Sequence, residues 1–224
     1  MLNKFKGVTI TELLVTIAVM GLMFSMILAI MVLLKRSYSE EDSRSAMQQN
    51  AAVALAKLTR ELMESSYKTT TIYNPSSSSP PTGIIFASAR QISNYNKFDL
   101  DPNNSLCVWH KYVCYYIDTD PERASQKALF RRETYINEPS GTITKGASSL
   151  STSNFVTGGT GYSPAIVIAH RVEDLDFPDL GVGNFGPAQI GNVLPLKVSL
   201  KIAEKSATQN YNAVTLTFTM NMNN

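Results

Sequence analysis

The chain is poor in histidine and cysteine, the residues that most often serve in catalytic and metal-binding sites. Its 224 residues include two cysteines, two histidines and one tryptophan. His110 and His170 do not lie in a Ser/His/Asp, zinc or redox motif, so the sequence predicts no enzyme activity, no metal site and no cofactor. Two acidic clusters, residues 118–122 and 173–179, lack the spacing of a known calcium loop, and we interpret them as solvated turns.

The chain also lacks a large net charge. It carries 20 basic and 18 acidic residues, a formal net charge of +2. Nucleic-acid-binding domains concentrate basic residues on one surface, so the composition predicts no nucleic-acid partner. The length suits one medium-sized domain with an additional segment, and two unrelated globular domains would be a tight fit.

One long apolar run dominates the N-terminal part. Residues 8–34 read VTITELLVTIAVMGLMFSMILAIMVLL and contain a single ionisable side chain, Glu12. A helix of this length rises roughly 40 Å, more than the roughly 30 Å hydrocarbon core of a bilayer. A secretory signal peptide has a shorter apolar core, of about 7–15 residues, and a small-residue cleavage site. The run therefore predicts a retained membrane-spanning helix.

The flanking charges give an orientation. Lys4, Lys6 and the α-amino group precede the run, and Lys35 and Arg36 follow it. The positive-inside rule then favours a cytoplasmic N-terminus, with a smaller margin because of the two basic residues on the far side.

Glu12 is the informative residue of this run. A carboxylate near the start of a membrane helix costs about 2.5–3.5 kcal/mol on insertion scales and marks a functional site by default. We therefore expect Glu12 to need a partner. The alternative is a carboxylate that reaches the headgroup level and contacts water.

Residues 6–21, KGVTITELLVTIAVMG, resemble the class III signal of type IV prepilins and pseudopilins. That signal is a short basic leader ending in Gly, then an apolar residue, then Glu four places further on; here these are Gly7, Val8 and Glu12. The resemblance implies that a prepilin peptidase removes residues 1–7, that Val8 becomes an N-methylated N-terminus, and that Glu12 makes an assembly contact. Val8 stands where Phe is usual in the family.

The resemblance also implies partners and a location. The expected partners are other pilins or pseudopilins bound through the N-terminal helix, the prepilin peptidase, the inner-membrane assembly platform and the membrane itself. The chain would cross the cytoplasmic membrane once, with its head outside the cytoplasm, and then join a periplasmic or extracellular filament.

After residue 34 the apolar pattern becomes one-sided. Ala51, Leu55, Leu58 and Leu62 follow at spacings of four, three and four, as on one face of a helix. Residues 22–66 contain no Pro or Gly, so we predict that residues 35–66 continue the helix as an amphipathic segment. A membrane helix joined by a linker to a separate domain is the alternative.

Residues 67–224 are predicted to form a β-rich head. The stretch 69–83, rich in Ser and Pro, indicates an irregular connection, and residues 83–90, 106–118 and 127–136 carry strand patterns. The last two predict a hairpin. Residues 140–161 are dominated by Gly, Ser and Thr and predict a long surface loop.

Two C-terminal segments alternate apolar and polar residues, as half-buried strands do. Leu196, Val198, Leu200 and Ile202 share one face of the first, and Val214, Leu216, Phe218, Met220 and Met222 share one face of the second. A sheet with such a face packs on an amphipathic helix, so the sequence predicts an α+β fold with a long N-terminal helix on an antiparallel head.

Parts of the head are similar to the larger W-type minor pilins and J-type pseudopilins. The similar segments are VCYYID with ALFRRE, which contains the pair Arg131 and Arg132, and residues 167–177. The resemblance implies a minor subunit of a type IV pilus or type II secretion pseudopilus, in the priming or tip complex that initiates assembly. An adhesive or DNA-capture tip subunit and a major pilin are the alternatives, and the choice between pilus and pseudopilus stays open.

Cys107 and Cys114 form a candidate disulfide, because an exported head meets oxidising conditions. If residues 106–118 form one strand, their Cα atoms lie about 23 Å apart, whereas a disulfide needs about 4.4–6.8 Å. A disulfide would therefore require a bend between them, and both alternatives stay open.

Overall fold

The computed structural model describes residues 9–75, 81–90, 97–100, 107–135, 150–205 and 211–222. The chain divides into two compact units, residues 1–45 and 46–224. Helix α1, Ile10–Met63, is continuous over 54 residues and contributes to both units. The predicted unbroken helix is thus confirmed.

Short helices and antiparallel strands follow α1. The elements are a 3-10 helix Tyr67–Thr69, β1 Thr71–Asn74, β2 Gly83–Ser88, β3 Lys111–Thr119, β4 Lys127–Tyr135, α2 Thr152–Thr157, β5 Ile166–His170, β6 Val172–Asp176, β7 Gly183–Phe185, α3 Pro187–Asn192, β8 Leu196–Lys205 and β9 Tyr211–Met220. The described strands form a six-stranded sheet of order β5-β4-β3-β2-β1-β7 and a three-stranded sheet of order β6-β8-β9. The fold is α+β, a long N-terminal helix on antiparallel sheets, as predicted.

The predicted apolar stripe of α1 lies in the core of the second unit. Ala51, Leu55, Leu58 and Leu62 are each at most 1% exposed, and Met47 is the first helical residue to join them. Side chains from the inner faces of both sheets complete this cluster. The amphipathic segment was expected from residue 35, but core packing begins about a dozen residues later, because residues 35–46 expose all their apolar side chains.

The six-stranded sheet is covered on both faces. Along β3, Val113, Tyr115 and Ile117 belong to the cluster with α1. The alternate residues Tyr112, Cys114 and Tyr116 belong to a second cluster, which includes Phe155 of α2. Because strand side chains alternate between faces, each strand of this hairpin contributes to two hydrophobic layers.

The predicted hairpin is confirmed, since β3 and β4 pair antiparallel from Lys111↔Tyr135 to Thr119↔Lys127. Its first strand begins at Lys111, five residues later than the expected start at 106. The stretch 69–83 was predicted to be irregular, and this was wrong for β1, whose Ile72 is fully buried. A four-residue strand between Thr and Pro runs gives too short a pattern for periodicity to detect.

The loop predicted over residues 140–161 lies partly outside the described residues, which resume at Leu150. Its described part contains α2, so the loop interpretation was wrong there. Ser151 caps this helix, with a reciprocal bond from the Ser151 N–H to the Asn154 side chain at 2.9 Å. Phe155 of α2 is fully buried and edge-on to Tyr162.

The two C-terminal strands form the predicted pair, in register from Leu196↔Met220 to Lys205↔Tyr211. The inner residues of β8 are fully buried, as expected. In β9, Val214 and Met220 are buried, but Phe218 is 38% exposed. Phe218 was expected to face the core, and it remains half open because β9 is the edge strand of its sheet.

Candidate functional site

The candidate site is the apolar N-terminal part of α1, residues 10–34. Among the described residues, α1 is the one helix long and apolar enough to cross a membrane. Every residue from Ile10 to Leu34 is exposed, including Phe24 at 64% and Leu33 at 64%. A helix that is apolar on all sides cannot cover these side chains by itself.

Glu12 lies in the first turn of this helix and has a partner in its own chain. The backbone N–H of Thr9 donates to Glu12 Oε2 at 3.0 Å, and the Thr9 hydroxyl donates to the same oxygen at 3.0 Å. The Glu12 N–H approaches Thr9 Oγ1 at 3.4 Å. This is the reciprocal capping box of a T-x-x-E sequence, which satisfies N–H groups that a helix start leaves without acceptors.

The cap changes the interpretation of Glu12. The apolar surroundings predicted that Glu12 needs a partner, and Thr9, directly before the helix, is one. The T-x-x-E spacing from Thr9 to Glu12 is the sequence signal of this local partner. Gly7 and Val8, the predicted processing residues, lie outside the described part of the chain.

A second cluster of charged residues lies between α1 and the six-stranded sheet. Arg131 Nε donates to Glu61 Oε2 at 2.9 Å, and the same guanidinium contacts Glu133. Lys111 Nζ donates to both oxygens of Glu133 at 3.0 Å. The Arg131 guanidinium also lies over the ring of Tyr115 at 6.0 Å. Two cations and two carboxylates thus form one balanced group, all with side chains at most 11% exposed.

The ionisation of this group follows from burial and pairing. Burial alone would lower the pKa of Arg131, but Glu61 and Glu133 outweigh it and raise that pKa. Burial would raise the pKa of Glu133, yet Arg131 and Lys111 hold it below its ordinary value. Burial lowers the pKa of Lys111, against the opposing effect of Glu133. Each member is paired with another member, so the cluster joins α1 to the sheet.

Arg132 joins a second helix, α2, to the opposite face of β4. Its Nη1 donates to the carbonyl oxygens of Phe155 and Val156, the latter at 3.1 Å, at the end of α2. Gly158 ends that helix with φ +68°, and a Cβ at this position would lie 2.6 Å from Arg132 Nη1. Adjacent arginines thus fix a helix on each face of the sheet, which gives a physical role to the pair Arg131 and Arg132.

The two histidines each contact a carboxylate. His110 Nε2 lies 2.8 Å from Asp99 Oδ2, and His170 Nδ1 lies 2.8 Å from Asp120 Oδ2. Burial would raise the pKa of Asp120, but the bonds from His170 and the Glu122 N–H lower it. Within the described ranges, no group of three or more His, Cys, Asp or Glu side chains is placed to hold a metal.

The acidic clusters are engaged in contacts across strands and turns. Glu173 pairs with Lys201 at 2.7 Å, and Asp179 pairs with Lys197 at 3.2 Å. Asp120 accepts a bond from the Glu122 N–H at 2.9 Å, which closes the turn between β3 and β4. The interpretation as solvated turns was wrong for Asp120, whose side chain is buried, and for Glu173, Asp174 and Asp176, which lie in strand β6.

Both cysteines of the candidate disulfide carry free thiols. Cys107 lies outside β3, in an isolated bridge with Leu100, and Cys114 lies in β3 opposite Ile85 and Arg132. The single strand assumed for residues 106–118 was therefore wrong at its start. Burial raises the pKa of the Cys114 thiol well above its ordinary value, so Cys114 is a poor nucleophile.

No protein-family model, no curated protein and no solved structure matches this chain.

Proposed function

We propose that this chain is a structural subunit of a membrane-anchored filament, a minor pilin or pseudopilin, with no enzymatic role. Its position would be in the priming or tip complex that starts assembly. Before assembly, the helix would lie in the cytoplasmic membrane with the head outside the cytoplasm. After assembly, the same helix would pack against the N-terminal helices of other subunits.

The observation that carries this proposal is the contrast between the two parts of α1. Between Ile10 and Leu34, 18 large apolar side chains are exposed, whereas the stripe from Met47 to Leu62 is buried in the head. Burying one such side chain gains about 1.5–3 kcal/mol, so leaving all of them in water would cost on the order of tens of kcal/mol. Lipid or neighbouring apolar helices remove that cost.

Glu12 supports an assembly role beyond simple anchoring. An uncapped helix start requires only hydrogen-bond acceptors, which a Thr or Ser side chain also supplies. A carboxylate adds a negative charge within an apolar segment, at a cost in membrane insertion. Cleavage after Gly7 would place a cationic amine on Val8, next to Thr9, where the Glu12 carboxylate of the same or a neighbouring subunit can neutralise it. If a neighbouring subunit supplies the amine, another subunit must precede this one in the filament. The pairing therefore favours a position behind the outermost subunit.

Processing is tested by the intact mass of the protein from its native cell. We expect a chain that starts at Val8 and carries one additional methyl group. A start at Met1, or at any residue after Leu34, would contradict the proposed processing.

The role of Glu12 is tested with two variants that separate capping from charge. Glu12→Gln keeps the capping box, because Gln serves at that position as Glu does, but removes the charge. Glu12→Ala removes both. We expect both variants to insert in the membrane and to keep the tryptophan fluorescence of the folded head, and both to fail in filament incorporation and in pull-down of partner pilins. If Glu12→Gln assembles like the wild type, Glu12 is a helix cap and not an assembly contact.

A further inference from the structure

Strand β9 leaves one edge of the three-stranded sheet open. It pairs with β8 over all ten residues of Tyr211–Met220 without a register shift. No other described strand pairs with it. In an antiparallel ladder every second residue directs its N–H and C=O away from the existing partner, so about five residues of β9 present both groups outward. Such an edge is a template for another strand.

The other sheet edges carry features that discourage pairing. β7 has three residues, and β5 has five with an irregular register against β4. β6 has a register shift against β8 and carries Glu173, Asp174 and Asp176 within five residues. Short length, irregularity and charge are the usual protections of an edge strand. β9 is long and regular, and the sequence from Tyr211 to Met222 contains no charged residue and no Pro.

An exposed aromatic side chain lies beside this open edge. Phe218 is 38% exposed on the inner face, between Met220 at 3% and the partly buried Leu216. Side chains of an added strand would lie directly opposite or diagonal to Phe218, within contact distance for an aromatic ring. One added strand would therefore satisfy the open backbone groups and cover Phe218.

We propose that β9 pairs antiparallel with β9 of a second copy of this chain, so that two three-stranded sheets join into one of six strands. Antiparallel self-pairing places each residue near its own counterpart about a twofold axis, and like charges there repel. β9 contains no charged residue and so avoids this repulsion, unlike the other long strands; β8, for example, carries Lys197 and Lys201. Its Val, Thr and Phe residues suit a paired strand. This self-pairing does not depend on the proposed filament role.

A cysteine scan on the full chain in detergent micelles locates the axis. In a Cys107→Ser background, single cysteines are placed at each position from 213 to 219 and oxidised mildly. Only a residue close to the twofold axis lies near the same residue of the second copy. The two copies of a residue two positions from the axis lie about 13 Å apart along the strand, too far for a disulfide. We expect one maximum of cross-linked dimer, with symmetric decline on both sides. A uniform yield, no dimer, or cross-links to another protein alone would overturn the proposal.

A charge variant tests the same pairing without oxidation. Thr215 and Thr219 lie opposite Lys201 and Lys197 of β8, so Thr215→Glu with Thr219→Glu is accommodated within one chain but repels its copy. With the axis near residue 217, residue 215 of one copy lies opposite residue 219 of the other. We then expect dimerisation weaker by about 2- to 30-fold, as two repulsive cross-strand pairs predict, and recovery on mixing with the Thr215→Lys/Thr219→Lys variant. The Thr215→Gln/Thr219→Gln variant, uncharged and of similar size, should dimerise like the wild type. A Glu variant that folds and dimerises normally would refute self-pairing.

Discussion

Replacing Arg131 with Met tests how strongly the buried charge cluster joins α1 to the sheet. The substitution keeps most of the side-chain volume and leaves Glu61 and Glu133 with Lys111 as their one remaining cation in the cluster. Removing one partner of a buried ion pair costs about 3–5 kcal/mol. For a unit of this size, that corresponds to a melting temperature lower by about 6–20 °C.

The assay uses the single tryptophan of the chain. Trp109 packs against the second hydrophobic cluster, so its fluorescence reports unfolding of the head and not of the apolar helix. The matched control is Arg60→Met on α1, since Arg60 is 68% exposed and lies 4.0 Å from Glu64. That substitution should change the free energy of unfolding by less than about 0.5 kcal/mol.

A double variant sharpens the test. Glu61→Met added to Arg131→Met removes one charge of each sign and leaves the neutral pair of Lys111 and Glu133. We expect the double variant to be more stable than Arg131→Met alone, because no buried carboxylate is then left without a cation. If Arg131→Met costs no more than the exposed control, or if the two changes simply add, the cluster does not hold the helix as we infer.

Three further predictions concern the head. A fragment that starts at Ala46 should unfold cooperatively by tryptophan fluorescence, because the core begins at Met47; a non-cooperative transition would contradict the division into two units. The folded pKa of Glu133 is below its ordinary value of 4.5, so its contribution to stability is present above that pH and is lost as the pH falls through the folded pKa. Urea midpoints from about pH 6 to 3 should fall for the wild type and fall less for Glu133→Gln. Gly158→Ala should lower stability by about 1–2 kcal/mol, since its φ of +68° disfavours a Cβ, whereas Gly186→Ala, where a Cβ makes only an ordinary contact, should change it little.

Local periodicity predicted the parts of the fold that have one apolar face along one element. The stripe through Ala51 and Leu58 and the alternation in β8 were both confirmed, because burial of a face leaves a repeat of 3.6 or 2 in the sequence. The hairpin of β3 and β4 is buried on both faces, and it was predicted instead from two strand patterns that lie close together in the chain.

The sequence did not predict properties that depend on distant neighbours. Phe218 has the same spacing as the buried residues of β9, and only the position of β9 at a sheet edge leaves it exposed. Strand order and the partners of Arg131 and Arg132 also depend on contacts between elements far apart in the chain. By contrast, the cap of Glu12 and the S-x-x-N box of α2 were local signals that composition obscured.

The adjacent arginines of β4 make this strand sensitive to changes in its length. A single residue inserted or deleted within β4, between Lys127 and Arg131, would exchange the faces of the two arginines, because side chains alternate along a strand. Arg131 would then turn from Glu61 toward α2, and Arg132 would leave the carbonyl groups of Phe155 and Val156. Related proteins should therefore vary in length in the turn between Thr119 and Lys127. Between that turn and the arginine pair, where this chain has residues 127–130, they should keep an even number of residues.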